Sequence, residues 1–215
     1  MPLLLCGCAT VNFSANYYTP PPNYKAEVIN SWNELIIKLP LKYNYSMNIV
    51  SDRQCKMPGI PEIAGNNVKI PDNFIKYLYQ NYYNDRFTVL ACVIAHELCH
   101  SEYALYNQST PGAHFQVDQK AVELLENGHL YAPQDLYRSL FVLKNYWFAR
   151  KGAGGHLFNV GWNLVNAASV VYGGPGHFAD WFATDLSVRM KMCRRYYNIR
   201  DGSCFSGSHK PENRQ

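Results

Sequence analysis

The segment ACVIAHELCHSEYAL, residues 91–105, contains side chains that could bind a metal ion and activate water. His96 and His100 stand four residues apart, and Glu97 directly follows the first histidine. Positions four apart share one face of an α-helix, so both imidazoles can bind one ion, while the carboxylate can reach a water molecule beside it. Zn²⁺ suits these ligands because it accepts imidazole nitrogen and has no geometric preference from d-electrons. The spacing therefore predicts one zinc ion per chain, with Glu97 as general base.

A catalytic zinc site needs a third protein ligand. The pattern HExxHxxGxxH would place a histidine six residues after His100, but that position is Tyr106. The next candidate is His114, four residues before Asp118 at the start of the next predicted helix. An αα-hairpin would bring this face back over the first two histidines. We therefore predict His114 as the third ligand and Asp118 as the carboxylate that orients a ligand histidine.

Alternatives to these assignments remain open in the sequence. His96 and His100 could be core histidines without a metal, and His114 could be exposed or cap a helix start. Asp118 could be a direct ligand or an exposed carboxylate. Glu102 or Glu123 could replace His114 as the third ligand.

The elements that must position these residues are predicted to be mainly helices, with a small β-sheet near residues 43–70. The apolar run VLACVIA predicts that the metal-binding helix, from about Phe87 to Tyr106, is buried. A strand is predicted at 43–50, and a second strand is predicted to end at Pro71, with Asp72 capping the following helix. Apolar periodicity predicts the remaining helices at 27–39, 74–83, 114–127, 134–149, 157–172 and 180–197. The predicted fold class is α+β, in one domain over residues 27–205.

These motifs resemble the CAAX prenyl protease-like zinc metallopeptidases, a gluzincin-type HExxH family. Its members include bacterial heat-shock membrane proteases and periplasmic proteases of outer-membrane quality control. The similar segments are NNVKIPDNF…FTVLACVIAHELCH, HFQVDQKAVELLENGHLYAP and ATDLSVRM, within about residues 65–192. The resemblance implies a zincin-like domain that hydrolyses peptide bonds, with Asp118 steadying a ligand histidine. It also matches Arg189 to an arginine of the family's late motif.

Two positions depart from the family pattern. His114 stands where the family has a glutamate ligand, which would give a three-histidine zinc site. Asp185 stands where the family has a histidine, so any gating or oxyanion role of that histidine would be filled differently here. We predict Asp185 and Arg189 as candidate transition-state or cleft residues, with helix capping as the alternative for Asp185. His156 and His177 follow glycine-rich turns and are further candidates for the cleft.

The first residues, MPLLLCGC, resemble a bacterial lipobox in which Cys8 would carry lipid. A chance match at an apolar N-terminus is the alternative. We predict a signal remnant at 1–8, a Pro- and Asn-rich tether at 9–26 and a disordered tail at 206–215. The expected location is the bacterial cell envelope, with the domain lipid-anchored and facing the periplasm. In that compartment Cys193 and Cys204 could pair, whereas Cys92 and Cys99 lie too far apart on one helix.

The length and charge of the chain limit the kinds of partner that we expect it to bind. The chain has 215 residues, a formal net charge of +4 and no long run of Lys and Arg, so we expect no nucleic-acid partner. The predicted partners are a polypeptide substrate and the membrane, and the sequence does not predict an oligomeric state. The predicted activity is that of a membrane-tethered zinc metalloendopeptidase, and the family resemblance implies a role in envelope protein quality control. One alternative is a zinc-binding adaptor lipoprotein without turnover, and another is a structural lipoprotein without metal.

Overall fold

The computed structural model describes residues 19–106, 114–150 and 181–199. This part of the chain is mainly helical, with six α-helices and one sheet of three strands. In chain order the elements are α1 (Tyr24–Lys38), β1 (Ser46–Val50), β2 (Glu62–Ala64), β3 (Asn67–Pro71), α2 (Asp72–Asn81), α3 (Arg86–Glu102), α4 (Phe115–Asn127), α5 (Pro133–Arg150) and α6 (Trp181–Tyr196). The prediction of a mainly helical fold with a small sheet is confirmed.

The sheet is mixed, with strand order β1-β3-β2. Strand β3 pairs in parallel with β1 and antiparallel with β2, and its inward residues Val68 and Ile70 are fully buried. Strands β2 and β3 form a hairpin whose turn contains Gly65 at φ +60°, a conformation that glycine adopts without steric cost. Strand β2 lies at the edge of the sheet and contacts α3, so the sheet borders the helix that carries the histidines.

Helix α3 is the centre of the core. It contacts α1, α2, α4, α5 and the strands β2 and β3. Its residues from Val89 to His96 are all buried, which explains why the sequence is apolar around the whole helix rather than along one stripe. Each fully buried Val, Leu or Ile side chain contributes about 1.5–3 kcal/mol by leaving water. The helix is therefore held firmly in place at the positions that carry His96, Glu97 and His100.

The end of α3 differs from the sequence prediction. The helix ends at Glu102 rather than Tyr106, because Ala104 takes the left-handed conformation at φ 52°. The N–H of Leu105 bonds the carbonyl of His100, and the N–H of Ala104 bonds the carbonyl of Ser101, which together form a Schellman motif. Glycine usually occupies the left-handed position, so an alanine there gave no sequence signal for the stop.

The other predicted elements have mixed outcomes. The helices near 27–39, 74–83, 114–127 and 134–149 form, and the last helix is described from residue 181. The capping role of Asp72 was wrong: Pro71 precedes the helix, and the Asp72 carboxylate instead accepts from the Tyr24 hydroxyl at 2.5 Å and pairs with Lys76. The helix predicted at 157–172 lies outside the described residues, as do Cys8 with the lipobox and the tail at 206–215.

The cysteines within the described residues are buried. Cys55, Cys92 and Cys99 are free thiols, as predicted for the two on α3. Cys193 is also buried, and its predicted partner Cys204 lies outside the described residues. Among the described helices, none is both long and apolar enough to cross a membrane.

Candidate metal centre

Helix α3 places the two histidines of the HExxH motif side by side. The ring centroids of His96 and His100 are 4.9 Å apart, and the rings are nearly perpendicular. Potential ligand atoms of His96, Glu97 and His100 all lie within 4.8 Å of one another. His96 is buried, and the other two side chains are half-buried. The prediction that this motif forms a group able to hold a metal ion is confirmed.

His114 is the third imidazole at this position. It directly precedes α4, and its ring centroid lies 5.8 Å from that of His96 and 5.4 Å from that of His100. Three imidazoles bound to one tetrahedral zinc would place their centroids about 5 Å apart, since Zn–N bonds are about 2.1 Å. His114 is not part of the group of ligand atoms that lie within 4.8 Å of one another. The distances between the three ring centroids are nevertheless close to those that a zinc ion bound to three imidazoles would require.

Each of the three histidines has its Nδ1 atom next to an oxygen acceptor. His96 Nδ1 lies 2.9 Å from Asp118 Oδ1, and His100 Nδ1 lies 2.6 Å from the carbonyl oxygen of Leu105. His114 Nδ1 lies 3.2 Å from Asp185 Oδ2. A ring whose Nδ1–H donates to such an acceptor keeps its lone pair on Nε2, the arrangement that metal-ligating histidines commonly show. All three rings are therefore prepared to bind a metal through Nε2.

The acceptor for His100 could not have been predicted from sequence. The Schellman turn at Ala104 folds the chain back onto the end of α3, where the carbonyl oxygen of Leu105 meets the ring of His100. This turn therefore has two consequences, because it ends α3 and it orients a metal-ligand candidate.

A buried ion-pair network lies behind the rings. Arg189 on α6 donates from Nε and Nη2 to the two carboxylate oxygens of Asp118, at 2.7 and 2.6 Å. Its Nη1 lies 3.3 Å from Asp185 Oδ2. Both aspartates are fully buried, and Arg189 is 4% exposed. One guanidinium therefore contacts both of the carboxylates that meet His96 and His114.

The network determines the ionisation of its members. Burial by itself raises the pKa of Asp118, but the Arg189 guanidinium and the His96 ring outweigh burial and hold the pKa of that carboxyl well below its usual range. Burial alone lowers the pKa of Arg189, yet the two aspartates raise it above its ordinary value. Asp118 is thus an ionised acceptor, and His96 Nδ1 donates to it even though Arg189 Nη2 lies 3.2 Å from the same nitrogen.

The histidines of α3 are kept neutral, which is the form that binds metal. Burial, helped by the positive charge of Arg189, lowers the pKa of His96 to about 3. Burial also lowers the pKa of His100, although its hydrogen bond to the Leu105 carbonyl acts in the opposite direction. A donor set of neutral imidazoles beside a carboxylate suits Zn²⁺, and the residues present therefore fit this ion.

Glu97 faces the same space but has a different environment. Burial raises its pKa to about 8, while Arg189 and a hydrogen bond from the backbone N–H of Ile63 act to lower it. A divalent cation nearby would favour the ionised form further. The side chain is thus held by strand β2 at the metal-binding face, where a group that accepts and returns protons near neutral pH is useful.

A cavity of about 670 Å³ opens over these residues. His96, Glu97, His100, His114 and Arg189 line its polar part. The apolar wall comes from α3, α5 and α6, with Val93, Leu136, Leu140, Leu143 and Phe182. The segment before β2 and the strand itself form the other side, through residues 56–58 and 60–63. The cavity is large enough for a side chain and several atoms of backbone.

The structure separates the remaining candidates from this group. Glu102 is buried, but its carboxylate accepts the N–H groups of Lys42 and Tyr43 and the Tyr45 hydroxyl, so it anchors the chain before β1. Glu123 lies on the surface of α4 and pairs with Lys120 at 2.6 Å. Asp185 is buried behind His114 and does not line the cavity. His156 and His177 lie outside the described residues.

Comparison of the chain with models of protein families, with curated proteins and with solved structures yields no match. The family resemblance of the motifs therefore stays a prediction, and the site has to be judged by its own chemistry.

Proposed function

We propose that the chain is a zinc-dependent metalloendopeptidase, bound to a membrane through lipid on Cys8 and acting on polypeptides. The observation that carries the proposal is the convergence of His96, His100 and Glu97 at the wall of a 670 Å³ cavity. Two neutral imidazoles with a carboxylate beside them are what metal-assisted hydrolysis requires. The third imidazole, His114, would complete the ligands and leave one coordination position open.

Each residue has a defined part in this proposal. His96, His100 and His114 would hold the zinc through Nε2, and Asp118 would keep the His96 ring in the required tautomer. When bound, zinc supplies Lewis-acid chemistry, because it lowers the pKa of water and polarises a carbonyl group. Glu97 accepts a proton from the attacking water at its carboxylate and returns that proton to the leaving amine. Arg189 keeps Asp118 ionised and so acts through the ligand histidine.

The shape of the cleft supports a polypeptide substrate. Within the described residues β2 pairs only with β3, and Glu62 and Ile63 of β2 line the cavity beside Glu97. The Ile63 N–H already binds the Glu97 carboxylate, so an extended peptide along this edge would be held by the other main-chain groups there, which would bring a carbonyl group near the metal-binding face. The apolar wall from α5 would receive a neighbouring side chain. A polypeptide fits this arrangement better than a compact small molecule.

The proposal is tested on the full chain. Zinc content is measured by atomic absorption, and unfolded casein is used as the substrate, with and without a zinc chelator. We expect one zinc per chain and cleavage that stops with the chelator and returns when zinc is added. Zinc binding without cleavage would instead support the second function proposed from the sequence, an adaptor that binds zinc, and absence of zinc would contradict both.

The membrane tether is a separate part of the proposal and has its own test. The chain is expressed in a bacterial cell and partitioned with a cloud-point detergent. We expect the protein in the detergent phase, and we expect Cys8→Ser to move it to the aqueous phase. Cys6→Ser is the matched control and should leave the partition unchanged. A detergent-phase Cys8→Ser variant would remove the lipid anchor from the proposal.

A further inference from the structure

Asp185 occupies a position that neither the HExxH motif nor a capping role explains. It lies four residues after the start of α6, inside the helix, and it is fully buried. Its Oδ2 atom lies 3.2 Å from His114 Nδ1 and 3.3 Å from Arg189 Nη1. A buried carboxylate requires a cation and hydrogen-bond donors to offset its lost hydration, and Arg189 and His114 supply both.

We propose that Asp185 is the positioning residue for His114 and thereby makes this histidine the third metal ligand. The inference rests on the proposed zinc site. A carboxylate accepts only, so His114 must donate from Nδ1, and its lone pair then lies on Nε2. The His114 side chain makes no capping hydrogen bond to α4, which is why its ring orientation has to be determined by contacts with other elements.

The arrangement at His114 repeats the arrangement at His96. In each case a fully buried aspartate contacts Nδ1, and in each case that aspartate also contacts Arg189. Asp118 belongs to α4 and Asp185 to α6, one helical turn before Arg189. The guanidinium therefore fixes the distance between the two carboxylates, and through them it orients two candidate ligand rings, one on α3 and one directly before α4.

A double-mutant cycle separates this role from a general effect on stability. Zinc affinity is measured by competition with a chromophoric chelator for the full chain and for Asp185→Asn, His114→Ala and the double variant. We expect Asp185→Asn to weaken zinc binding by about 10–100-fold, the effect typical of losing a partner that orients a ligand. In the His114→Ala background we expect Asp185→Asn to change affinity by less than about twofold, because the ring that it orients is gone.

Ser187→Ala is the matched control, because Ser187 lies on the same helix and its hydroxyl donates to the Ala183 carbonyl of that helix. It should bind zinc like the unchanged chain. The inference is overturned if Asp185→Asn retains full affinity. It is also overturned if the variant loses the same factor with and without His114.

A measurement on the unchanged chain keeps the inference testable if Asp185→Asn does not fold. Zinc is replaced by Co²⁺, and proton NMR spectra are compared in H₂O and D₂O. Three exchangeable, strongly shifted imidazole N–H resonances are expected, one for each ligand histidine whose Nδ1–H is held by an acceptor. Two such resonances from a loaded protein overturn this inference alone, whereas a chain that binds neither Co²⁺ nor Zn²⁺ also contradicts the proposed function.

Discussion

Arg189 and Asp118 form a buried ion pair in which two guanidinium nitrogens meet two carboxylate oxygens, at 2.7 and 2.6 Å. The pair joins α6 to α4 directly behind the His96 ring. Its geometry is the two-pronged arrangement that gives arginine its selectivity for carboxylates. Removing either partner would therefore affect the packing of helices as well as the orientation of a metal-ligand candidate.

Arg189→Met tests the stabilising part of this network. The variant leaves Asp118 and Asp185 buried without their cation, and breaking a buried pair costs about 3–5 kcal/mol. We expect the free energy of unfolding of the metal-free protein, measured with urea, to fall by that amount. Arg138→Met is the control, because Arg138 pairs with Asp85 at a partly exposed position and should cost less than about 1 kcal/mol. Equal losses in the two variants would contradict the special role of Arg189.

Glu97→Gln tests the general base. The substitution preserves the size of the side chain but removes its capacity to accept a proton. We expect casein cleavage to fall by roughly 10²–10⁴-fold, the usual contribution of general acid–base catalysis. We expect zinc content to stay at one ion per chain, and Glu123→Gln on the exposed face of α4 to leave both quantities unchanged.

The same variant distinguishes two roles of Glu97. Its carboxylate lies within 4.8 Å of potential ligand atoms of both histidines, so a ligand role would also bring it near the metal. Loss of zinc together with activity in Glu97→Gln would place Glu97 among the ligands. Unchanged cleavage would remove it from the chemistry.

The depressed pKa of His96 predicts how stability depends on pH. The folded-state pKa is about 3, whereas an unperturbed histidine has a pKa of about 6.5. Between these values the unfolded chain binds a proton at His96 that the folded chain does not, so the contribution of His96 to the free energy of unfolding rises with pH. One such group contributes a slope of up to about 1.4 kcal/mol per pH unit.

This slope can be measured on the metal-free protein by urea unfolding between about pH 4.5 and 6.5, a range that lies within the window of His96. Over the same range Glu97, whose pKa is raised to about 8, contributes a slope of the opposite sign, so the test is the difference between the two proteins. We expect His96→Gln to make the slope of the free energy of unfolding against pH more negative by up to about 1.4 kcal/mol per pH unit. His129→Asn is the control, because His129 is exposed and asparagine tolerates its positive φ of 55°. If His96→Gln leaves the slope unchanged, His96 is not the buried neutral group described above.

Glu102→Ala tests whether this buried carboxylate has a structural role or belongs to the metal ligands. Its removal leaves the N–H groups of Lys42 and Tyr43 without their carboxylate acceptor, which costs about 1–3 kcal/mol for a buried group. We expect lower stability in thermal or urea unfolding and unchanged zinc content. A variant of normal stability that no longer binds zinc would instead identify Glu102 as a ligand.

Much of the site could be predicted from the sequence because its chemistry is local. The spacing of His96 and His100 determines that they share a face of any helix that contains them, and the apolar residues around them determine that this helix is buried. His114 and Asp118 could be proposed for the same reason. The predicted end of α3 was wrong because the stop at Ala104 has no local sequence signal. Asp72 was wrong as a cap because it is the first residue of α2, with Pro71 in the cap position, and its carboxylate binds Tyr24 and Lys76.

The sequence by itself determined the helical character of the chain and the shared face of His96 and His100, since both depend on residues within a few positions of one another. Only the tertiary structure decided which aspartates contact His96 and His114 on their other nitrogen. Asp118 reaches His96 across 22 positions of sequence, and Asp185 reaches His114 across 71. Such partners depend on how helices pack, and packing is determined by the sum of many buried contacts rather than by any spacing in the chain.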